Sequence, residues 1–140
     1  MLRGVADANV LVSALVSPLG ICGRLLTATD DGGWMMVVSP RLLTELEDVL
    51  HRERFRRWVT VEEVVHFFAR LHAVAQVVPD APQPWPPVTR DTKDDYLVAL
   101  VQTIKVDALV SGDDDLLSLT DRVPPVIRPA DFLAMVNEGR

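Results

Sequence analysis

The 140-residue chain contains a single cysteine, Cys22. One cysteine cannot form an internal disulfide, and it excludes the thiolate clusters that hold structural zinc. No apolar run approaches the roughly 20 residues that a membrane-spanning helix needs. The N-terminus, MLRGVADANV, also lacks the basic and long apolar segments of a signal peptide. We therefore expect a cytoplasmic protein in a reducing compartment.

A surplus of positive charge is absent as well. The formal net charge is −6, which argues against a protein that holds nucleic acid by overall basicity. The charges are unevenly distributed, because residues 91–121 contain eight acidic residues and two lysines, whereas RERFRR at 52–57 contains four arginines and one glutamate. The chain has neither GxGxxG nor GxxxxGK[ST], so dinucleotide and P-loop nucleotide sites are not indicated.

Strand-like and helix-like segments alternate along the chain. The apolar fraction of 49% is sufficient for a core, and the length predicts one domain over residues 1–140. The strand-like segments are GVAD with the apolar run that follows it, WMMVV (34–38), VDALVS and PVIRP. This alternation predicts an α/β domain with a mainly parallel sheet.

Helix boundaries are marked by capping residues. Ser39 and Pro40 predict the start of a helix over 39–50, and Thr60 with Glu63 forms the capping-box pattern of a helix over 60–76. Further helical patterns cover residues 19–29, 92–105 and 129–139. Residues 77–92, which we call the proline segment, hold five of the ten prolines and predict a surface crossover.

Two aspartates follow predicted strands. Asp7 stands at the end of the first strand, and Asp113 lies just past the strand ALVS. Because ligands of parallel sheets bind outside the carboxyl ends of the strands, both carboxylates are expected at the same edge of the sheet.

Three further acids lie on predicted helices. Glu45 borders the apolar stripe of its helix, and Asp94 flanks the stripe that begins at Leu97. Asp95 points away from that stripe and would complete a capping box if Thr92 is the N-cap residue. This geometry favours Asp94 as a ligand and Asp95 as a structural acid.

Four carboxylates at one sheet edge would repel one another, and a divalent cation removes the conflict. Oxygen ligands suit Mg²⁺ or Mn²⁺, with Asp113 as a ligand, Asp115 as an assisting one, and Asp114 in solvent or capping a helix. Each acid alone also has an ordinary explanation as a turn former, a surface residue or a helix cap. The metal hypothesis therefore depends on the combination.

Four segments in this order resemble the PIN-domain family, especially its VapC-type ribonuclease toxins: ADANVLVSAL, SPRLLTELEDVL, RDTKDDYLVALV and LVSGDDDLLSL. The resemblance covers nearly the whole chain. It implies a three-layer α/β/α sandwich with a mainly parallel central sheet, a cluster of acids that binds Mg²⁺ or Mn²⁺, and metal-dependent cleavage of RNA.

The same resemblance assigns roles to individual residues. Asp7 corresponds to the first acid of the family and Glu45 to the helical acid. Asp94 corresponds to the third acid, with Asp95 as the adjacent alternative. Asp113 corresponds to the fourth. Ser111 preserves a hydroxyl that relatives carry two residues before that acid, and Asn9 matches the polar residue that would orient Asp7.

Binding partners follow from the resemblance and from the basic segment. Arg52, Arg54, Arg56 and Arg57 are candidates for contacting the RNA backbone, with Arg24 and Arg41 as others; the alternative is a solvated helix end. The VapC-like pattern implies a cognate antitoxin protein and a homodimer, and no membrane.

Two other functions are compatible with parts of the pattern. A haloacid-dehalogenase-type phosphatase also uses strand-end aspartates and Mg²⁺, but it requires a second aspartate where this chain has Asn9. A non-catalytic RNA- or protein-binding module with the same fold is the second alternative, and the four intact acids count against it.

Overall fold

The computed structural model describes residues 1–90, 92–119, 122 and 124–139. Within them, five strands form one sheet: β1 (Leu2–Ala6), β2 (Trp34–Val38), β3 (Ala75–Val77), β4 (Ala108–Val110) and β5 (Val126–Ile127). The strand order is β3-β2-β1-β4-β5, and all neighbouring strands are parallel. The expected parallel sheet is confirmed. Two acids of the region 91–121, Asp91 and Asp121, lie outside the described residues.

Seven α-helices are present in the same described ranges: α1 (Ala8–Val16), α2 (Ile21–Asp30), α3 (Pro40–Leu50), α4 (Val61–Val74), α5 (Asp95–Thr103), α6 (Asp114–Leu117) and α7 (Pro129–Glu138). The chain moves from β1 through β2 to β3 on one side and then crosses to β4 and β5 on the other. Since such crossovers are right-handed, the two sets of connecting helices lie on opposite faces of the sheet. The result is the expected α/β/α sandwich.

Local capping signals are confirmed at two helices. The Ser39 side chain accepts a hydrogen bond from the Leu42 N–H at the start of α3, directly before Pro40. At α4, the Thr60 hydroxyl accepts from the Glu63 N–H, and the Glu63 carboxylate accepts from the Thr60 N–H. The first backbone N–H groups of a helix have no partner within the helix. Both helices begin where a short polar side chain accepts a hydrogen bond from one of these groups.

Three local predictions were wrong. The apolar run after Asp7 forms helix α1 rather than a strand, because the Asp7 carboxylate caps its first turn. The helix predicted over 60–76 ends at Val74, and Ala75–Val77 instead pair with the free edge of β2 as strand β3. The capping box expected between Thr92 and Asp95 is absent, since residues Thr92–Asp94 form a 3₁₀ turn.

The core lies between the sheet and the helices. Val5, Val37 and Leu109 are fully or nearly fully buried on the central strands, and Trp34 packs edge-on against Phe132 of α7 at 5.0 Å between ring centroids. No single helix in the described ranges is long and apolar enough to cross a membrane; α1 and α2 meet the length and composition criteria only as a pair, with a 92° bend between them.

The sheet order positions a crevice. The chain leaves β1 toward β2 on one side, and β4 occupies the other side. This reversal is the topological switch point, where the loops after neighbouring strands diverge and leave a ligand crevice at their carboxyl ends. Asp7 follows β1 and Ser111 follows β4, so both lie at this crevice.

Candidate active site

Asp7 is fixed by two elements at the switch point. Its backbone N–H extends the ladder between β1 and β4 by donating to the Val110 carbonyl at 3.1 Å. One carboxylate oxygen accepts from the Val10 N–H at 2.9 Å, and the other accepts from the Ser111 hydroxyl. Burial of the 4% exposed side chain raises the pKa of Asp7; Ser111 and Val10 oppose this shift, and the nearby Asp113 and Glu45 carboxylates reinforce it.

Ser111 links the first and fourth acids. Its buried hydroxyl donates to Asp7 and accepts from the Asp113 N–H at 3.0 Å. Asp113 is the N-cap residue of α6, where its carboxylate accepts from the Asp115 N–H at 2.9 Å. The helix-cap explanation of the triple aspartate is therefore correct for Asp113, and it leaves the second carboxylate oxygen available to a ligand.

Glu45 and Asp94 approach from two helices. Half-buried Glu45 on α3 accepts a hydrogen bond from the Tyr96 hydroxyl through one oxygen. Asp94 precedes α5 and is 8% exposed, yet its carboxylate accepts no hydrogen bond within the described part of the chain. Burial, with the Asp7, Glu45 and Asp113 carboxylates, raises the pKa of Asp94 to about 6 although Lys93 opposes the shift.

These four residues, Asp7, Glu45, Asp94 and Asp113, form what we call the acid cluster. The first three line a cleft of about 510 Å³. Asp113 lines an adjoining shallower cavity of about 290 Å³, which shares Asn9 with the cleft. The pKa values of Asp7 and Asp94 are raised chiefly by burial, with a further contribution from neighbouring carboxylates, so the site disfavours negative charge on both side chains.

The acid cluster has the right ligand atoms for a divalent cation, but its side chains are not yet spaced to surround one. Four carboxylates from separate segments supply the oxygen ligands that Mg²⁺ and Mn²⁺ prefer. Over the ranges that the structure describes, however, no three His, Cys, Asp or Glu side chains already surround a common metal position. Cation binding would therefore require the acid cluster to contract.

Asp95 and Asp115 lie outside the cleft. One Asp95 oxygen accepts from the Val88 N–H, the Thr89 N–H and the Thr89 hydroxyl, at 3.1, 2.8 and 2.6 Å. Burial raises the pKa of Asp95, but these hydrogen bonds outweigh it and lower the pKa overall. Asp95 thus anchors the proline segment, a structural role, and its position does not support a role as metal ligand. Asp115 lies 3.8 Å from Arg90 and is absent from the lining of the cleft.

Ser111 and Asn9, the two predicted supporting residues, have different positions relative to Asp7. Ser111, rather than Asn9, orients Asp7, because its hydroxyl bonds the carboxylate directly. Asn9 is exposed and lines both cavities, and the two hydrogen-bond partners of the Asp7 side chain among the described residues are Val10 and Ser111. Sequence reasoning did not identify Tyr96 as a partner of Glu45, since its position among the apolar residues of α5 is typical of core.

The four arginines of the basic segment 52–57 have two different environments. Arg52 and Arg54 line the cleft together with Arg41 and Lys93, whereas Arg24 does not. Arg56 is half-buried and donates to the Leu50 carbonyl at the end of α3, and Arg57 stacks over Trp58 at 5.4 Å. The cleft is therefore lined by the buried acids Asp7 and Asp94 and by exposed cationic side chains, an arrangement that suits a phosphate chain.

Comparisons with known proteins agree with this geometry. A family model described as a PIN domain matches residues 3–115. One curated relative, from Methanocaldococcus jannaschii and named only as uncharacterized protein MJ1680, is 26% identical over 121 residues, which cover 86% of this chain and 76% of the relative. No solved structure matches the chain.

Proposed function

Because the chain belongs to the PIN domain family, we propose that it is a divalent-metal-dependent ribonuclease whose active site is the acid-lined cleft. PIN domains are in general nucleases, and they typically use divalent metals. The observation that carries the proposal is the pair of buried acids, Asp7 and Asp94, whose pKa values are raised by burial and by neighbouring carboxylates. Burial and the neighbouring carboxylates both disfavour ionised acids at this switch-point crevice, and a bound cation would offset both effects.

The residues that would hold Mg²⁺ or Mn²⁺ are Asp7, Asp94 and Asp113, with Glu45 at the rim. When bound, such an ion makes water a better nucleophile and neutralises phosphate oxygens. Ser111 holds the Asp7 carboxylate in one orientation, so that this one ligand does not have to be ordered when the acid cluster contracts around an ion.

Glu45 is the candidate proton acceptor. The Tyr96 hydroxyl occupies one of its carboxylate oxygens, so the other oxygen is free to take a proton from the attacking water. Along the sides of the cleft, Arg52, Arg54 and Lys93 would neutralise the phosphates of the strand. Acids below and cations beside the strand would align a phosphodiester for in-line attack.

The preference for RNA, and the biological role, rest on the resemblance to VapC-type toxins. We include in the proposal that the protein is the toxin of a type II toxin–antitoxin pair, that a cognate antitoxin binds it, and that it forms a homodimer. An apolar surface at the start of α4 suits a protein partner, since Trp58, Val61 and Val65 are 56%, 50% and 58% exposed.

The partner and toxin roles are tested separately from catalysis. Light scattering of the purified protein and of a Val65→Glu variant should give a dimer and a monomer, respectively. Induced expression in a bacterial host should arrest growth for the intact chain but not for Asp7→Asn. Continued growth with demonstrably active enzyme would remove the toxin role and leave the ribonuclease.

The ribonuclease is tested with a mixed RNA pool and EDTA, Mg²⁺ or Mn²⁺, using the intact protein beside Asp7→Asn and Asp113→Asn. We expect cleavage that needs metal and disappears in both variants. Cleavage that survives both substitutions would place the reaction elsewhere. RNA binding without cleavage by folded protein in either metal would favour the non-catalytic binding module. The family match gives no support to the phosphatase alternative.

A further inference from the structure

Arg41 lines the cleft and stacks its guanidinium against two adjacent aromatic rings. Its guanidinium carbon is 4.7 Å from the centre of the Trp85 ring and 5.1 Å from that of the Tyr96 ring. The two rings are 6.0 Å apart and inclined by 53°. A guanidinium held over ring faces is attracted by their negative π-surfaces and has few accessible rotamers. We call this arrangement of Arg41, Trp85 and Tyr96 the arginine cage.

The cage is built by parts of the chain that are distant in sequence. The indole N–H of Trp85 donates to the Ala81 carbonyl at 2.9 Å, and the backbone N–H of Arg41 donates to the Asp80 carboxylate at 3.0 Å. Asp95 holds the other end of the same segment through Val88 and Thr89. The proline segment is therefore fixed at several points, and those points place Trp85 against Arg41.

The guanidinium itself is left with unused donors. Glu45 and Asp94 line the same cleft, yet Arg41 forms no ion pair and its side chain donates no hydrogen bond to any residue that the structure describes. A guanidinium has five N–H donors in a planar fork. Pairing with an acid would neutralise the charge, whereas stacking on rings holds the side chain and keeps both charge and donors for a ligand.

We propose that the arginine cage is a preformed phosphate-binding site for the nucleotide beside the scissile phosphodiester, and that the proline segment serves to form it. The inference rests on the proposed ribonuclease function, because it takes the ligand to be a phosphate of a single RNA strand. Arg41 lines the same cleft as Asp7, Glu45 and Asp94 of the acid cluster, so a strand with one phosphate at these acids would bring a neighbouring phosphate toward the guanidinium. Arg41 is in this sense a positioning residue.

A purely structural role predicts a different behaviour. If Arg41 only holds the proline segment to α3 and α5, its replacement lowers thermal stability and leaves the electrostatics of RNA binding unchanged. A phosphate contact instead releases counterions, and for single strands each contact adds about 0.7 to the slope of log affinity against log salt. The salt slope therefore separates the two roles.

The experiment measures fluorescence anisotropy of a labelled single-stranded RNA over a salt series, with Ca²⁺ replacing Mg²⁺ so that the strand is bound without efficient cleavage. The proteins are the intact chain, Arg41→Gln, Arg41→Lys and Trp85→Leu. Arg70→Gln is the matched control, because it removes the same charge at a site paired with Asp30 and outside the cleft. Thermal melts of all five proteins accompany the series.

We expect Arg41→Gln to weaken binding about tenfold at low salt and to reduce the slope by about 0.7. Arg41→Lys and Trp85→Leu should keep the slope and weaken binding by a smaller factor, since the charge remains and the fork or one ring is lost. An unchanged slope in Arg41→Gln, or the same change in Arg70→Gln, would overturn the proposal. So would an intact protein that binds no RNA.

The two proposals fail in distinguishable ways. RNA that binds with Arg41-dependent salt sensitivity but is not cleaved in Mg²⁺ or Mn²⁺ would support the cage and refute the ribonuclease. Metal-dependent cleavage with an Arg41→Gln slope equal to that of the intact protein would support the ribonuclease and refute the cage.

Discussion

Asp94 and Asp95 are consecutive residues that belong to two contrasting regions of the molecule. Asp94 faces the acid cluster, accepts no hydrogen bond within the described ranges, and has a pKa raised to about 6 mainly by burial. Asp95 faces the proline segment and accepts three hydrogen bonds, and its pKa is lowered overall despite burial. The same side chain at neighbouring positions thus accepts no protein hydrogen bond in one region and three in the other.

The contrast separates a binding region from a stabilising one. Carboxylates that repel one another reduce folding stability unless a ligand compensates, and such an arrangement persists where function requires it. A carboxylate whose oxygen accepts three hydrogen bonds from a neighbouring segment stabilises the fold and is held away from the cleft. Substitutions in the two regions should therefore affect different measurements.

The largest effect is expected from Asp7→Asn in the acid cluster. Asparagine is an equally good N-cap, so helix α1 should be retained, but the metal would lose a charged ligand. We expect the cleavage rate to fall roughly a thousandfold, because charge stabilisation by a bound metal contributes several kcal/mol. The melting temperature of the metal-free protein should stay equal or rise. Near-normal cleavage by the variant would remove Asp7 from the site.

Acidification should distinguish the regions in the metal-free protein. Asp94 has a folded pKa above its ordinary value of 3.8, so protonation favours the folded state, and the free energy of unfolding should rise as pH falls from about 6 to about 4. The contribution is up to about 3 kcal/mol. Asp95 has the opposite effect on the pH dependence of stability. Because its folded pKa is lowered, its contribution to the free energy of unfolding is present above pH 3.8 and is lost at lower pH.

Denaturant titrations in EDTA across this pH range provide the measurement. The Asp94→Asn variant should lack part of the rise between pH 4 and 6, whereas Asp95→Asn should retain it. A profile for the intact protein that falls steadily from pH 6 to pH 4 would show that Asp94 is not under the repulsion that its surroundings imply.

Asp95→Ala should produce a loss of stability of about 2 kcal/mol, since it leaves three half-buried donors of Val88 and Thr89 without their acceptor. Asp95→Asn keeps an acceptor oxygen and should lose about half as much. Urea titration at pH 7 is the measurement. If Asp94→Ala destabilises as strongly as Asp95→Ala, the two regions do not divide stability from function as the structure indicates.

Tyr96→Phe tests the connection between Glu45 and the arginine cage. The variant keeps the ring that Arg41 stacks on and loses only the hydroxyl that bonds Glu45. We expect cleavage to fall about tenfold, the lower range for a residue that orients an active-site ligand. The salt slope of RNA binding should not change. A change in the slope with normal cleavage would reverse the assigned roles of hydroxyl and ring.

The smallest effect is expected from Asp114→Asn. Asp114 is the middle residue of the triple aspartate, but its side chain is 93% exposed and forms an ion pair with Arg128 at 3.8 Å. Stability and cleavage should remain within about 0.5 kcal/mol of the intact protein. This variant also serves as a control for the removal of one negative charge near the site. A large loss of cleavage would show that Asp114 belongs to the acid cluster.

The fold was predictable because its signals are local. Ser39, Thr60 and Glu63 satisfy nearby backbone donors, and the strand-like runs alternate with helical stripes. Strand β3 was missed because Ala75–Val77 continue the pattern of α4, and only the exposed edge of β2 makes them a strand. Helix α1 was missed because an apolar run as short as this one fits a buried strand or a helix equally well.

The amino-acid sequence by itself determined the α/β class, the capped helix starts and the placement of Asp7 and Asp113 after strands that end at one sheet edge. Tertiary structure alone decided that Asp94 faces the cleft while Asp95 holds the proline segment, that Tyr96 bonds Glu45, and that Arg41 stacks against two rings. The physical reason is range. Caps and periodicity act within a few residues, whereas these contacts depend on how the proline segment packs across the starts of α3 and α5.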